Sequence, residues 1–167
     1  MNIVQVSDKI LDTINTFMEY LMGILFLSLV IITFQEVLRR YLLNDPTHWA
    51  SEASRFLLIW MTFTGACIVT RLVTHLTMGF TIHRFVNKSM SKFIKILISA
   101  AAAVSMIVLT YYSGKVTLLA GYRPAPMTGI PMYYVWSALP FNGAIMSLYM
   151  IAETVKHIFE KEEEVTQ

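Results

Sequence analysis

The chain has 167 residues, 56% of them hydrophobic and only 14% charged, with a net charge of +2 at neutral pH. A soluble domain carries about 25% charged residues, so this composition excludes an ordinary water-soluble fold, and a net charge this small gives no footprint for nucleic acid. The apolar residues gather in four stretches, which predicts an all-α integral membrane protein with four transmembrane helices and no room for a soluble domain.

At the N-terminus, Asp8, Asp12 and Glu19 precede the first strong apolar run. A cleavable signal carries basic residues there, so the first span is expected to stay in the mature protein. Ile3, Val6, Ile10, Ile14 and Phe17 recur at spacings of three and four, with polar residues between them. This is an amphipathic lead-in that either lies on the membrane or continues the first helix. The first span is expected over 17–38. Asn44-Asp45-Pro46 follows, with Asp45 suited to cap the next helix and Pro46 to its first position.

The second span is expected over 49–73. Its uncharged core lies between Arg55 and Arg71, whose stems can snorkel to the surface. Cys67, the single cysteine, falls inside this core and reads as a small buried hydrophobe. The second connection mixes His75, His83, Arg84, Lys88 and Lys92 with apolar residues, which suits an interfacial helix. The third span is expected over 93–113. Ser99, the four alanines at 100–103 and Ser105 give it a small-residue face for close helix packing. Gly114, Gly121, Pro124, Pro126, Gly129 and Pro131 mark the third connection as turn-rich. The fourth span is expected over 132–155, kinked by Pro140, with Gly143 and Ser147 on another small face. Tyr133, Tyr134 and Trp136 suit the headgroup level, and 156–167 form a polar tail.

An even number of spans puts both ends on one side. That side carries eight Lys and Arg (9, 71, 84, 88, 92, 95, 156, 161) against five on the other (39, 40, 55, 115, 123). The excess predicts cytoplasmic termini.

The chain has no G-x-x-x-x-G-K-[ST] phosphate cradle and no spacing that suggests a nucleophile with its base, so it reads as neither an ATPase nor another enzyme. No acidic residue lies between Glu52 and Glu153. A self-contained pump or exporter usually carries a carboxylate or relay within its spans, so movement of a polar solute by this chain alone is not expected. Glu36 with Arg39 and Arg40, and Glu52 with Arg55, stand at helical contact spacings. They are either pairs within one helix at the headgroup level or contacts to another helix or subunit. The four histidines raise a second class, a haem-carrying membrane anchor of a quinone-linked oxidoreductase. None falls mid-span, where axial ligands would sit.

One string carries a resemblance. Trp49-x-x-Glu52-x-x-Arg55, the apolar run through Trp60 to Gly65-Ala66, and Arg71-x-x-x-His75 resemble the small membrane subunit, DctQ-like or SiaQ-like, of tripartite ATP-independent periplasmic (TRAP) transporters. Arg40-Tyr41 at the end of the first span and Gly129-Ile130-Pro131 opening the last are similar to that family too, and the likeness covers nearly the whole chain. A second arginine, Arg39, departs from the pattern and leaves two candidates for the family-type contact.

The resemblance implies a subunit of the bacterial inner membrane with no cofactor of its own. It would scaffold a large membrane subunit holding the substrate and sodium sites, fed by a periplasmic binding protein. The cargo would be an organic acid, with sialic acid favoured over C4-dicarboxylates and other sugar acids. Arg40, Trp49, Glu52, Arg55, Trp60 and His75 are the expected subunit-interface or structural cluster, with Arg40, Glu52 and Arg55 joined between the first two spans. Asp45, Thr47, Arg123, Pro126, Thr128, Gly129 and Pro131 lie in outer connections and are the candidates for docking the binding protein.

Overall fold

The computed structural model describes residues 3–45, 47–77 and 88–163, with side chains placed over 8–45, 47–73 and 97–155. The expected interfacial helix between the second and third spans therefore lies largely outside the described residues. Five helices follow one another: α1 Ile3–Leu42, α2 His48–Thr77, α3 Lys88–Ala120, α4 Met132–Trp136 and α5 Ala138–Glu163. Among the described residues the only strand-like pairing is the isolated bridge between Pro124 and Pro131. Four segments are long and apolar enough to cross a membrane: Asp8–Leu42, His48–Val73, Leu97–Ala120 and Met132–Val155.

The helices form an open row rather than a closed bundle. α1 packs on α2, α2 on α5 and α5 on α3, while α1 meets α5 only marginally and does not meet α3 among the described residues. The amphipathic lead-in continues the first helix. At about 1.5 Å per residue, the 40 residues of α1 run about 60 Å, twice the roughly 30 Å hydrocarbon thickness of a bilayer. Leu11 and Met18 of α1, Cys67 of α2 and Tyr149 of α5 form the main buried cluster.

Two sequence expectations are corrected and a third is refined. Asp45 does not cap α2: the helix starts at His48, and the first turn closes on Thr47, whose carbonyl accepts the Ala50 N–H at 3.1 Å. Asn44 turns the chain at φ 50, and the Asp45 carboxylate folds back onto Arg39 at 3.1 Å. Second, α3 does not end at 113 but reaches Ala120, so Gly114 is helical. Thr117 makes that extra length pack: its buried hydroxyl lies 2.9 Å from the Ser113 carbonyl of its own helix and 3.1 Å from the Trp136 carbonyl.

Third, the break in the last span falls at Ser137, three residues before Pro140. Proline has no N–H to give to the carbonyl four residues back, which here is Trp136. That freed acceptor is the one the Thr117 hydroxyl reaches, its single proton shared with the Ser113 carbonyl. The Trp60 indole N–H reaches the neighbouring Tyr134 carbonyl at 3.2 Å. The break is thus held from α3 on one side and α2 on the other.

Small residues set the α3–α5 contact. Gly143 is buried against Thr110, where an added Cβ would fall 2.7 Å from the threonine hydroxyl oxygen. Ser99 and Thr154 share a hydrogen bond of 2.8 Å between the same helices. Other hydroxyls, those of Thr62, Thr70 and Ser105, donate back to carbonyls of their own helix four residues earlier. In an apolar surround such local bonds spare a polar group from going unsatisfied.

Candidate functional site

The end of the row where α1 meets α2, and where α3 passes into α4, carries most of the expected site residues. Its organising group is Glu52, in the second turn of α2. One oxygen, Oε2, accepts the backbone N–H groups of both Met127 (3.0 Å) and Thr128 (2.7 Å). Between them the carboxylate and the bonds within the loop fix 121–131 as an ordered strap. At its base, Met132 N–H donates to Arg123 C=O (2.9 Å) and Ala125 N–H to Ile130 C=O (2.9 Å). At its tip, Gly129 N–H donates to Ala125 C=O (3.0 Å), and Gly129 takes φ 69, a conformation that side chains disfavour. Beneath the strap, Ala125 and Val135 pack on Phe56 of α2, with Ile59 and Met132 alongside. Charge-assisted bonds to two consecutive amides fix orientation, and the apolar cluster supplies the attachment.

The expected union of Arg40, Glu52 and Arg55 into one cluster does not form. Arg40 pairs with Glu36 at 2.6 Å within α1. The same Glu36 oxygen accepts the Ser51 hydroxyl at 3.3 Å, and this polar contact ties α1 to the first turn of α2. Arg55 is exposed and acts on Glu52 only electrostatically. The strap's amides take one oxygen of the Glu52 carboxylate, and Arg40 is held by Glu36 on its own helix. Trp60 binds the helix break, Trp49 is partly exposed at 41%, and the side chain of His75 lies outside the described residues.

Of the docking candidates, Thr128, Gly129 and Pro131 are structural members of the strap, and Thr47 is buried. Asp45, Arg123 and Pro126 are exposed. So are Tyr122, Met127 and Ile130 on the same strap.

Sequence reasoning missed the opposite end. Arg71, expected to snorkel at the membrane surface, is 2% exposed. Its guanidinium donates to Asp12 through Nη2 at 2.7 Å and Nε at 3.2 Å, and to Asp8 at 3.3 Å. It also lies 5.7 Å from the centre of the Tyr149 ring. One cation therefore joins α1, α2 and α5. The signal was available: Asp8 and Asp12 stand one helical turn apart on the lead-in, a spacing that presents two carboxylates to one neighbour.

This arrangement offers helix packing, a fixed strap and two charged ties, and among the described residues no grouping suited to covalent chemistry. Residues 29–160 match the family described as tripartite ATP-independent periplasmic transporters, DctQ component. The chain is 24% identical over 159 residues to the ectoine TRAP transporter small permease protein TeaB of Halomonas elongata, covering 92% of this chain and 82% of that one. It is 22% identical over 143 residues to the sialic acid TRAP transporter permease protein SiaT of Haemophilus influenzae. That match covers 85% of this chain and spans 23% of SiaT, about a quarter of its length. Nothing in these comparisons supports the haem-anchor reading. The chain belongs to the DctQ family and is a small permease subunit of a TRAP transporter, not an enzyme.

Proposed function

We propose that this subunit is an immobile scaffold. It would hold a large permease subunit in the bacterial inner membrane while that partner moves an organic acid with sodium, delivered by a periplasmic binding protein. The observation that carries the reading is the open row of four helices. A row leaves both broad faces of its central helices without a partner from within the chain, whereas a closed bundle would bury one of them. The substrate and sodium sites belong to the partner on this reading. Two relatives named for different substrates, sialic acid and ectoine, match this chain at 22% and 24% identity. Of the organic acids considered, sialic acid is the one that a relative's name supports.

Both termini are placed in the cytoplasm on the count of basic residues, which puts the 121–131 strap on the periplasmic side. Its exposed Tyr122, Arg123, Pro126 and Met127 then form the docking surface for the binding protein.

Reconstitution tests the scaffold reading. In liposomes with an inward sodium gradient, binding protein and sialic acid, this chain alone should give no uptake above empty vesicles. Adding the large subunit should restore it. Uptake by this chain alone would overturn the assignment.

A further inference from the structure

Lys115 stands on α3, a helix with no Asp or Glu in its sequence. Among the described residues no carboxylate lies within ion-pair distance of it. At the same end of the row Arg39 has Asp45 at 3.1 Å and Arg40 has Glu36 at 2.6 Å. The Lys115 ammonium instead lies 4.6 Å from the centre of the Tyr111 ring and 5.9 Å from that of Tyr112. These rings meet edge to face at 5.5 Å and are 58% and 61% exposed. Their surroundings on α3, including Val108 and Val116, are exposed and apolar.

A side chain on a helix leans toward the preceding turn, so this ammonium is folded down to the tyrosines rather than out past the helix end. Exposed tyrosines on an apolar helix mark the headgroup level, and an ammonium at that depth lies within reach of lipid phosphates, which attract it. We propose that Lys115, Tyr111 and Tyr112 bind the phosphate of a bilayer phospholipid, in the leaflet that faces the 121–131 strap. The ammonium supplies the charge, the two phenols supply O–H donors, and the apolar flank accommodates the acyl chains. The phosphate is the group recognised, so phosphatidylglycerol and phosphatidylethanolamine should bind alike.

The full chain, purified in a neutral detergent, is incubated with phosphatidylglycerol, phosphatidylethanolamine or diacylglycerol of matched chains, and retained lipid is read by native mass spectrometry. Retention of either phospholipid should exceed that of diacylglycerol by about fivefold, the scale of one charged contact. Lys115→Gln should abolish the preference, Lys115→Arg should keep it, and the Tyr111→Phe/Tyr112→Phe double variant should weaken it. Circular dichroism verifies that each variant is folded. Millimolar inorganic phosphate should not displace the lipid. Equal retention by the wild type and Lys115→Gln would overturn the site. So would full displacement by inorganic phosphate, or cross-linking of Lys115 to a co-expressed permease with no lipid preference in the purified chain. The measurement needs no transport partner, so its outcome is separate from that of the scaffold test.

Discussion

A single oxygen of Glu52 holds two consecutive amides of the strap. Glu52→Ala should leave those N–H groups to water and loosen the tip while the Phe56 cluster keeps the base attached. Removing a charged acceptor costs about 1–3 kcal/mol. Amide exchange at 127 and 128 should accelerate about tenfold or more, and unchanged exchange would show that the strap is held by its own bonds. At the other end the burial of the Arg71 pair is one-sided: the arginine side chain is 3% exposed and that of Asp12 59%. Removing both carboxylates strands a buried cation, whereas removing the cation leaves carboxylates that water reaches. The Asp8→Ala/Asp12→Ala double variant should therefore lower the thermal midpoint in detergent more than Arg71→Met does. Discounted for the exposed partner, the larger loss should be about 2–3 kcal/mol. The reverse order would mean that Arg71 acts through packing.

Among the elements, the break between α4 and α5 is a matter of backbone accounting. Pro140 leaves the Trp136 carbonyl open and Thr117 closes it. Thr117→Val should cost about 1 kcal/mol, because the part-buried Trp136 carbonyl loses its hydroxyl donor. In a Pro140→Ala background the new N–H can reach the same carbonyl, so the Thr117→Val loss should shrink. A double-mutant cycle measures this directly, and strict additivity would sever the link. At the α3–α5 contact, Gly143→Ala should destabilise by about 1–3 kcal/mol through overpacking, since its Cβ would meet the Thr110 oxygen at 2.7 Å. Thr110→Ala should recover much of that loss in the double variant.

For the whole molecule, the proposed orientation follows from basic residues on short connections. Cys67 is fully buried, so an impermeant thiol reagent should report only on introduced cysteines. In spheroplasts Met127→Cys should react, while a cysteine replacing Gln167 should be protected. The opposite pattern would turn the strap toward the cytoplasm and remove it as a docking surface for a periplasmic protein.

The sequence by itself determined the class and the number of spans, because transfer of about 20 apolar residues into lipid is a local, additive quantity. It singled out Glu52 for subunit assembly and, separately, Thr128, Gly129 and Pro131 for docking, and did not connect the two sets. What it could not determine was pairing. Arg40, Glu52 and Arg55 all had permissible partners by spacing, and only the fold shows that backbone amides 75 and 76 residues away reach the Glu52 carboxylate. Arg71 looked like a surface charge because hydropathy does not record what stands opposite; the lead-in carboxylates do. The open order α1, α2, α5, α3 was likewise decided by tertiary structure. Small residues at 99–105 and 143 say that helices come close, but which helices meet depends on the match between whole faces.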